Sequence, residues 1–237
     1  GGGDDGWRAR CSGAIAGVHL ELGDLDAAAE RCREVDGLGA RGAGWSGARG
    51  HALVKLGLAE LGRGELDDAA AALQRATALL ETDEWGVWRW HIPLLRARAE
   101  VALARGAHDA AWALATSSLE LAQQTDARKH AAHAQVVLGR IATAQERLPE
   151  ARQLLRGAIK LAEHLGTVRA LWLGCAALGD VLVRAGEERE AEAYLTQAAQ
   201  TVEAIAAQLY DPHLRASFLR DRPVTELYRL FGRRPPP

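Results

Sequence analysis

Chemistry in this chain would have to come from histidine, arginine and carboxylate side chains. His130 and His133 stand three apart on what reads as one helix and are spaced like metal ligands. They lack a Cys or carboxylate at a compatible distance in the sequence, so no metal site is expected. Arg96 and Arg140 carry planar guanidinium groups, which suit bidentate bonds to a carboxylate or phosphate. The segment from Thr82 to Pro93 crowds Trp85, Trp88 and Trp90 into six positions. Aromatic side chains at the rim of a groove make partner contacts, and Trp88 is the candidate for that role. Pro93 either marks the first turn of a helix or kinks it. The adjacent Asp67 and Asp68 read as charge at a helix N-terminus rather than as an acid–base pair.

The motifs of the common enzyme classes are missing. The sequence contains no Gly-x-x-x-x-Gly-Lys-Ser/Thr loop, no His-Glu-x-x-His, no Gly-x-Ser-x-Gly and no Cys-x-x-Cys. A non-enzyme without catalytic residues, metal or cofactor is the expectation. Cys11, Cys32 and Cys175 match no zinc or disulfide framework and read as inert, partly buried thiols of a reducing compartment.

Of 237 residues, 48% are hydrophobic and 25% charged, the balance of a folded, soluble protein. No uncharged run is longer than that from Ala170 to Gly179, which is far short of the roughly 20 apolar residues that cross a bilayer. A cytoplasmic protein without membrane contact is therefore expected. A formal charge of −2 leaves no basic excess for phosphate backbones, which argues against direct nucleic-acid binding. The chain opens Gly-Gly-Gly-Asp-Asp-Gly and contains no Met, so residues 1–6 read as the disordered end of a fragment with a further domain upstream.

What would position these side chains is an internal repeat. The pattern Gly, polar or acidic residue, three variable residues, Ala recurs at Gly23, Gly64, Gly106 and Gly186, with a degenerate copy at Glu146. Successive anchors are 41, 42, 40 and 40 residues apart. Seven positions before each anchor stand Ala16, Gly57, Ala99, Gly139 and Gly179; twelve after it stand Val35, Ala76, Ser118, Ala158 and Ala198. Small residues at one point on each of two helices let antiparallel backbones approach closely, so each repeat is read as a helical hairpin. The anchor glycine ends the first helix in a left-handed conformation, and Asp24, Glu65 and Glu187 suit the positive start of the second.

Leu56-Gly57 with Ala69 and Leu73, Leu138-Gly139 with Ala151 and Leu155, and Leu178-Gly179 with Ala191 and Leu195 resemble the tetratricopeptide repeat (TPR). The resemblance covers roughly residues 7 to 209. It departs in period, which is about 34 in the standard repeat. The longer period, the helix endings at 118–122 and 158–165, and a closing segment from Asp211 through Pro223 are similar to the solenoid of the maltose-regulon activator and related large signal-transduction ATPases. This resemblance implies an all-α, right-handed superhelical solenoid of about five TPR-like hairpins with a C-terminal closing helix. The boundaries follow as repeats at about 7–40, 44–82, 86–124, 127–165 and 167–209, capping helices over 210–232 and a Pro-rich tail over 233–237. It further implies a protein- or effector-binding module, the C-terminal part of a bacterial regulator with an ATPase or other effector domain upstream. A free-standing adaptor that binds peptides is the alternative.

In such a solenoid the first helix of each hairpin lines the concave face. Counting from the anchors places there Arg10, His51, Val54, Arg96, Glu100, His133, Val136, Arg140, Thr143, Ala176, Asp180 and Val183. Arg96, Arg140, His51 and His133 opposite Glu100 and Asp180 could grip a carboxylate, a phosphate or an acidic peptide. The Lys and Asn clamp of some peptide-binding TPR proteins is not available, because the chain has no Asn. Trp7, Trp45, Trp112 and Trp172 read as packing between hairpins. The first repeat shows no N-terminal cap, so its end is expected to be open to stacking.

Overall fold

The computed structural model describes residues 2–39, 46–81 and 87–235, with side chains for 6–38, 47–81 and 89–235. Five hairpins follow one another: α1 (Gly2–Glu21) with α2 (Leu25–Gly39), α3 (Ser46–Arg63) with α4 (Leu66–Leu80), α5 (Val87–Ala104) with α6 (His108–Gln124), α7 (Arg128–Ala144) with α8 (Leu148–Leu165), and α9 (Val168–Arg184) with α10 (Glu188–Gln208). Two short helices, α11 (Pro212–Arg220) and α12 (Arg222–Leu230), close the array. Helix α1 starts at Gly2, inside the stretch read from sequence as a disordered end. Pro93 lies within α5 rather than at its first turn.

One turn geometry makes every hairpin. The anchor residue has positive φ in all five, between +68° and +87° at the four glycines and +57° at Glu146. The amide after it bonds the carbonyl five residues back, as in Asp24 to His19 at 2.9 Å and Arg147 to Ala142 at 2.8 Å. This pattern satisfies carbonyls that the end of an α-helix would otherwise leave open. The acids Glu65 and Glu187 that follow the anchors make no side-chain cap, so only their charge acts on the second helix.

The small positions are the contacts between paired helices. A Cβ on Gly57, Gly139 or Gly179 would stand 2.5–2.6 Å from the side chain of Leu73, Leu155 or Leu195 on the partner helix. Where the first position is Ala16 or Ala99 instead, the residue at the register of those leucines is Cys32 or Ala115, and all four are fully buried. Size is matched across the pair: a glycine faces each leucine, and an alanine stands only where the partner is as small as Cys or Ala.

Each first helix packs on the second helix of the preceding hairpin, and successive first helices touch one another, α1 to α3 and onward to α9. The inner wall is accordingly tight. Val54, Val136 and Thr143, placed on the open concave face by counting, are buried between neighbouring helices. Trp172 and Phe218 fill the largest core cluster, which runs from α7 to α12. Burial of each such side chain stabilises by about 2–3 kcal/mol. Trp112 is half-buried beneath the Arg147 guanidinium, 4.2 Å from the ring centre. Trp7 departs from the packing role expected of it: it is exposed, because α1 has no helix against its outer side among the described residues. Trp45 lies outside the described residues. Cys11 is likewise exposed, whereas burial pushes the Cys32 and Cys175 thiols up to about 11 and about 12.

The two ends of the solenoid meet. Arg169 at the start of α9 donates to the Glu21 carbonyl at 2.8 Å and pairs with its carboxylate at 3.0 Å. Asp24, buried at the first turn, accepts from His19 Nδ1 at 3.0 Å and from His213 Nε2 of α11 at 3.2 Å. A Cβ on Gly23 would lie 2.7 Å from Asp221 Cβ at the start of α12. Five hairpins thus complete about one superhelical turn.

Candidate functional site

The concave groove is walled by the first helices and crossed by α12, which returns from the last hairpin toward the first. Two cavities result. One, about 410 Å³, lies among Glu21, Leu61, Arg96, Glu100, Arg169 and Asp221. The other, about 440 Å³, lies among Thr143, Leu173, Ala176, Asp180, Arg184 and Leu230. Arg140, Arg222, Pro223 and Glu226 line both. Arg222 and Glu226 are bonded to each other along α12 at 2.7 Å.

Arg140 sits where the two cavities join. It is exposed, and among the described residues it has no hydrogen-bond or ion-pair partner. The other candidates are occupied. Arg96 and Glu100, one turn apart on α5, pair with each other, leaving Arg96 Nε buried without an acceptor. Asp180 receives both of its bonds from Arg184, one turn along α9, at 3.2 Å, and Arg184 reaches Glu146 of the neighbouring hairpin at 3.1 Å. Arg10 lies over Trp7, its guanidinium carbon 5.7 Å from the ring centre.

His51 and His133 do not act as cations here. The His51 ring tilts against Trp90 with centroids 4.6 Å apart. Burial, then nearby Lys55 and His130, hold its pKa down at about 3. His133 is held at about 3 by burial, Arg96, Arg169 and His130, and His130 is itself lowered by burial and Arg96. Both His51 and His133 are therefore neutral at ordinary pH, and the cationic grip expected of them falls to the arginines. Lys55, also lowered by burial, is spent on the Gly13 carbonyl at 2.5 Å. Among the described residues no group of three or more His, Cys, Asp or Glu side chains is arranged to hold a metal ion. Trp88 lies outside the described side chains.

Sequence reasoning brought Arg96, Glu100, Arg140 and Asp180 to the groove, and it missed Arg169, Arg222 and Glu226. Arg169 occupies the start of a first helix, where counting could have found it. The two α12 residues reach the groove only because the solenoid closes on itself, and no local pattern in the sequence signals that.

No protein-family model and no curated protein sequence matches this chain. Solved structures do match its fold. The aspartyl phosphate phosphatase F from Bacillus subtilis superposes with a TM-score of 0.64 at 12% identity, covering 96% of this chain and 59% of that one. A Rap protein complexed with competence and sporulation factor gives 0.58 at 14%, covering 94% and 75%. The nearly identical TPR-like repeats of a Podosopora anserina putative kinesin light chain give 0.54 at 19%, covering 86% and 98%. At these identities the likeness establishes a TPR-type solenoid fold.

Proposed function

We propose that this chain is a non-catalytic binding module that seats a carboxylate of a protein or peptide partner, or of a small effector, against Arg140 in the concave groove. The observation that carries this reading is an exposed, unpartnered guanidinium at the junction of two cavities. In a recess partly screened from water, such a group gains more from a bidentate carboxylate than it would on an open surface. The absence of catalysis is supported by the state of the other polar groups. Glu100 and Asp180 are tied to arginines of their own helices, and His51 and His133 are packed and neutral. A fold neighbour is described in complex with competence and sporulation factor, which is in keeping with a partner-binding use of this scaffold.

The setting is the sensory or scaffolding C-terminal arm of a larger cytoplasmic bacterial regulator, built like the maltose-regulon activator and related signal-transduction ATPases. The closing segment of α11 and α12 is the feature that supports this setting. A free-standing adaptor would use the same groove without an attached ATPase, and the coding sequence upstream of Gly1 separates the two. For the groove itself, a library of acidic peptides with free C-termini is screened against the chain and the best binder is retested with Arg140→Ala. A charged hydrogen-bonded contact of about 1.5–3 kcal/mol makes the expected loss about 10- to 100-fold. Equal affinity of the variant and the parent would refute the Arg140 site.

A further inference from the structure

We infer that the outer face of α1 is a stacking surface for one more helical hairpin on the N-terminal side of the solenoid, whose second helix lies across Trp7, Cys11, Ile15 and Val18. This goes beyond the groove and is independent of it.

The inference rests on register. Trp7, Cys11, Ile15 and Val18 stand 16, 12, 8 and 5 positions before the first turn anchor, on one face of α1. Their exposures are 67% for Trp7, 45% for Ile15 and 58% for Val18, and Cys11 is exposed too. The positions of Cys11, Ile15 and Val18 are taken in α3 by Ala52, Leu56 and Ala59, in α7 by Ala134, Leu138 and Ile141, and in α9 by Gly174, Leu178 and Val181, all buried, while the position of Trp7 is held by half-buried Ala48 and His130 and by buried Ala170. In α5 Leu94 and Val101 are buried likewise and Trp90, at the place of Trp7, packs against the core, whereas Arg98, at the place of Ile15, is exposed. In every one of these hairpins the covering element is the second helix of the hairpin before. Direct contacts locate it: a Cβ on Gly62 of α3 would meet Leu25 of α2 at 2.8 Å, and one on Gly174 of α9 would meet Ile159 of α8 at 3.1 Å. Gly174 is the counterpart of Cys11. The residues on α1 are thus at the register of an interface that this molecule closes in α3, α7 and α9 and, with Arg98 left exposed, makes in part in α5.

The occupant is a hairpin in line rather than a second copy of the chain. At the other end of the array, Phe218, Leu219, Val224, Leu227 and Tyr228 of α11 and α12 pack into the last core cluster beside α10, so α1 of one molecule cannot stack head to tail on α10 of another. Pairing of two α1 faces about a two-fold axis would bury only one helical stripe from each. Such a stripe offers on the order of 400 Å², about half of what a stable interface takes from each partner. A hairpin joined in the same chain loses no translational freedom on docking, so a single-helix contact suffices for it.

The test supplies such a hairpin from the chain's own sequence. Residues 87–127, comprising α5, α6 and the connection to α7, are joined in front of residue 5, the position that matches the first residue of α7. Cys11 is then the reporter, because Cys32 and Cys175 are buried. The expected result is that Cys11 alkylation by N-ethylmaleimide slows at least 10-fold, and that Val18→Glu with Ile15→Glu restores the original rate. In the unextended chain the same two substitutions leave the unfolding midpoint nearly unchanged. Should the extended chain not fold, a synthetic peptide of residues 108–124 added in excess provides the second readout, with slower Cys11 alkylation expected. Unprotected Cys11 in both formats overturns the inference. So does an unextended chain that sediments as a dimer at micromolar concentration with Cys11 protected, since the face would then belong to a second copy.

Discussion

The first and last hairpins share one turn and one fold, yet they finish the solenoid in opposite ways. At the C-terminal end, α11 and α12 lay Phe218, Val224, Leu227 and Tyr228 on the last hairpin, and the core there is dry. At the N-terminal end, Trp7, Ile15 and Val18 are exposed at a register that the later hairpins largely cover, Arg98 of α5 being the exception. A hairpin is therefore not a unit that completes itself. Stability in such an array is a sum over neighbours, and an end is finished only when something other than another repeat takes the place of a neighbour. The cap does this by changing geometry: α11 and α12 span nine residues each, too short to start another hairpin of this kind. Asp211 caps α11 through the His213 and Leu214 amides at 2.8 and 3.2 Å, with Pro212 in its first turn.

The largest effect that separates the two ends is truncation of their aromatic side chains. Phe218→Ala removes a fully buried ring and is expected to cost about 3–5 kcal/mol in denaturant unfolding. Trp7→Ala, on a larger side chain, is expected to stay within about 0.5 kcal/mol. A comparable loss from both would mean that α1 is covered in solution, and the contrast between the ends would be lost.

A middle-sized effect compares how the two terminal hairpins close their own paired helices. The last uses Gly179 against Leu195, and the first uses Ala16 with Cys32. Gly179→Ala places a Cβ 2.5 Å from Leu195 Cδ2. Overpacking of about 1–3 kcal/mol then outweighs a gain in helix propensity of about 1 kcal/mol. In a Leu195→Ala background the obstruction is gone, so the same substitution should stabilise by about 1 kcal/mol. A double-mutant cycle by thermal denaturation reads this change of sign. An unchanged penalty in both backgrounds would mean that size matching across the pair does not explain the repeat pattern.

Much of this architecture is written in local patterns, and the rest depends on distance. The anchors at 23, 64, 106, 146 and 186 locate all five turns, since a left-handed residue and a close helix contact each demand a particular small residue at a fixed offset. Arg96, Arg140, Glu100 and Asp180 reach the groove as their register implies. Which of them is free could not be read from register. That depends on pairing partners such as Arg184 for Asp180, on the rotamers each adopts, and on α12 entering the groove after a full superhelical turn. The neutrality of His51 and His133 has the same origin: burial between adjacent first helices depends on the curvature of the array, to which 40-residue periodicity is blind.

The smallest effect asks whether the turns, which are alike from end to end, are neutral in the comparison. Four of the five anchors are glycine, and Glu146 holds the same left-handed conformation at φ +57°. A side chain there costs about 1–2 kcal/mol, part of which glycine returns through its greater freedom in the unfolded chain. The carboxylate gives little back, because its contact with Arg184 at 3.1 Å is exposed and ion pairs of that kind contribute less than about 1 kcal/mol. Glu146→Gly should therefore stabilise by about 0.5–1 kcal/mol, a rise in unfolding midpoint of about 2–4 °C at most for a chain of this size. Gly186→Ala, which imposes the same strain on the next turn, should shift the midpoint by a similar amount in the opposite direction. If both substitutions lower it, the Glu146 side chain contributes through its contacts, and the anchor is then more than a conformational requirement.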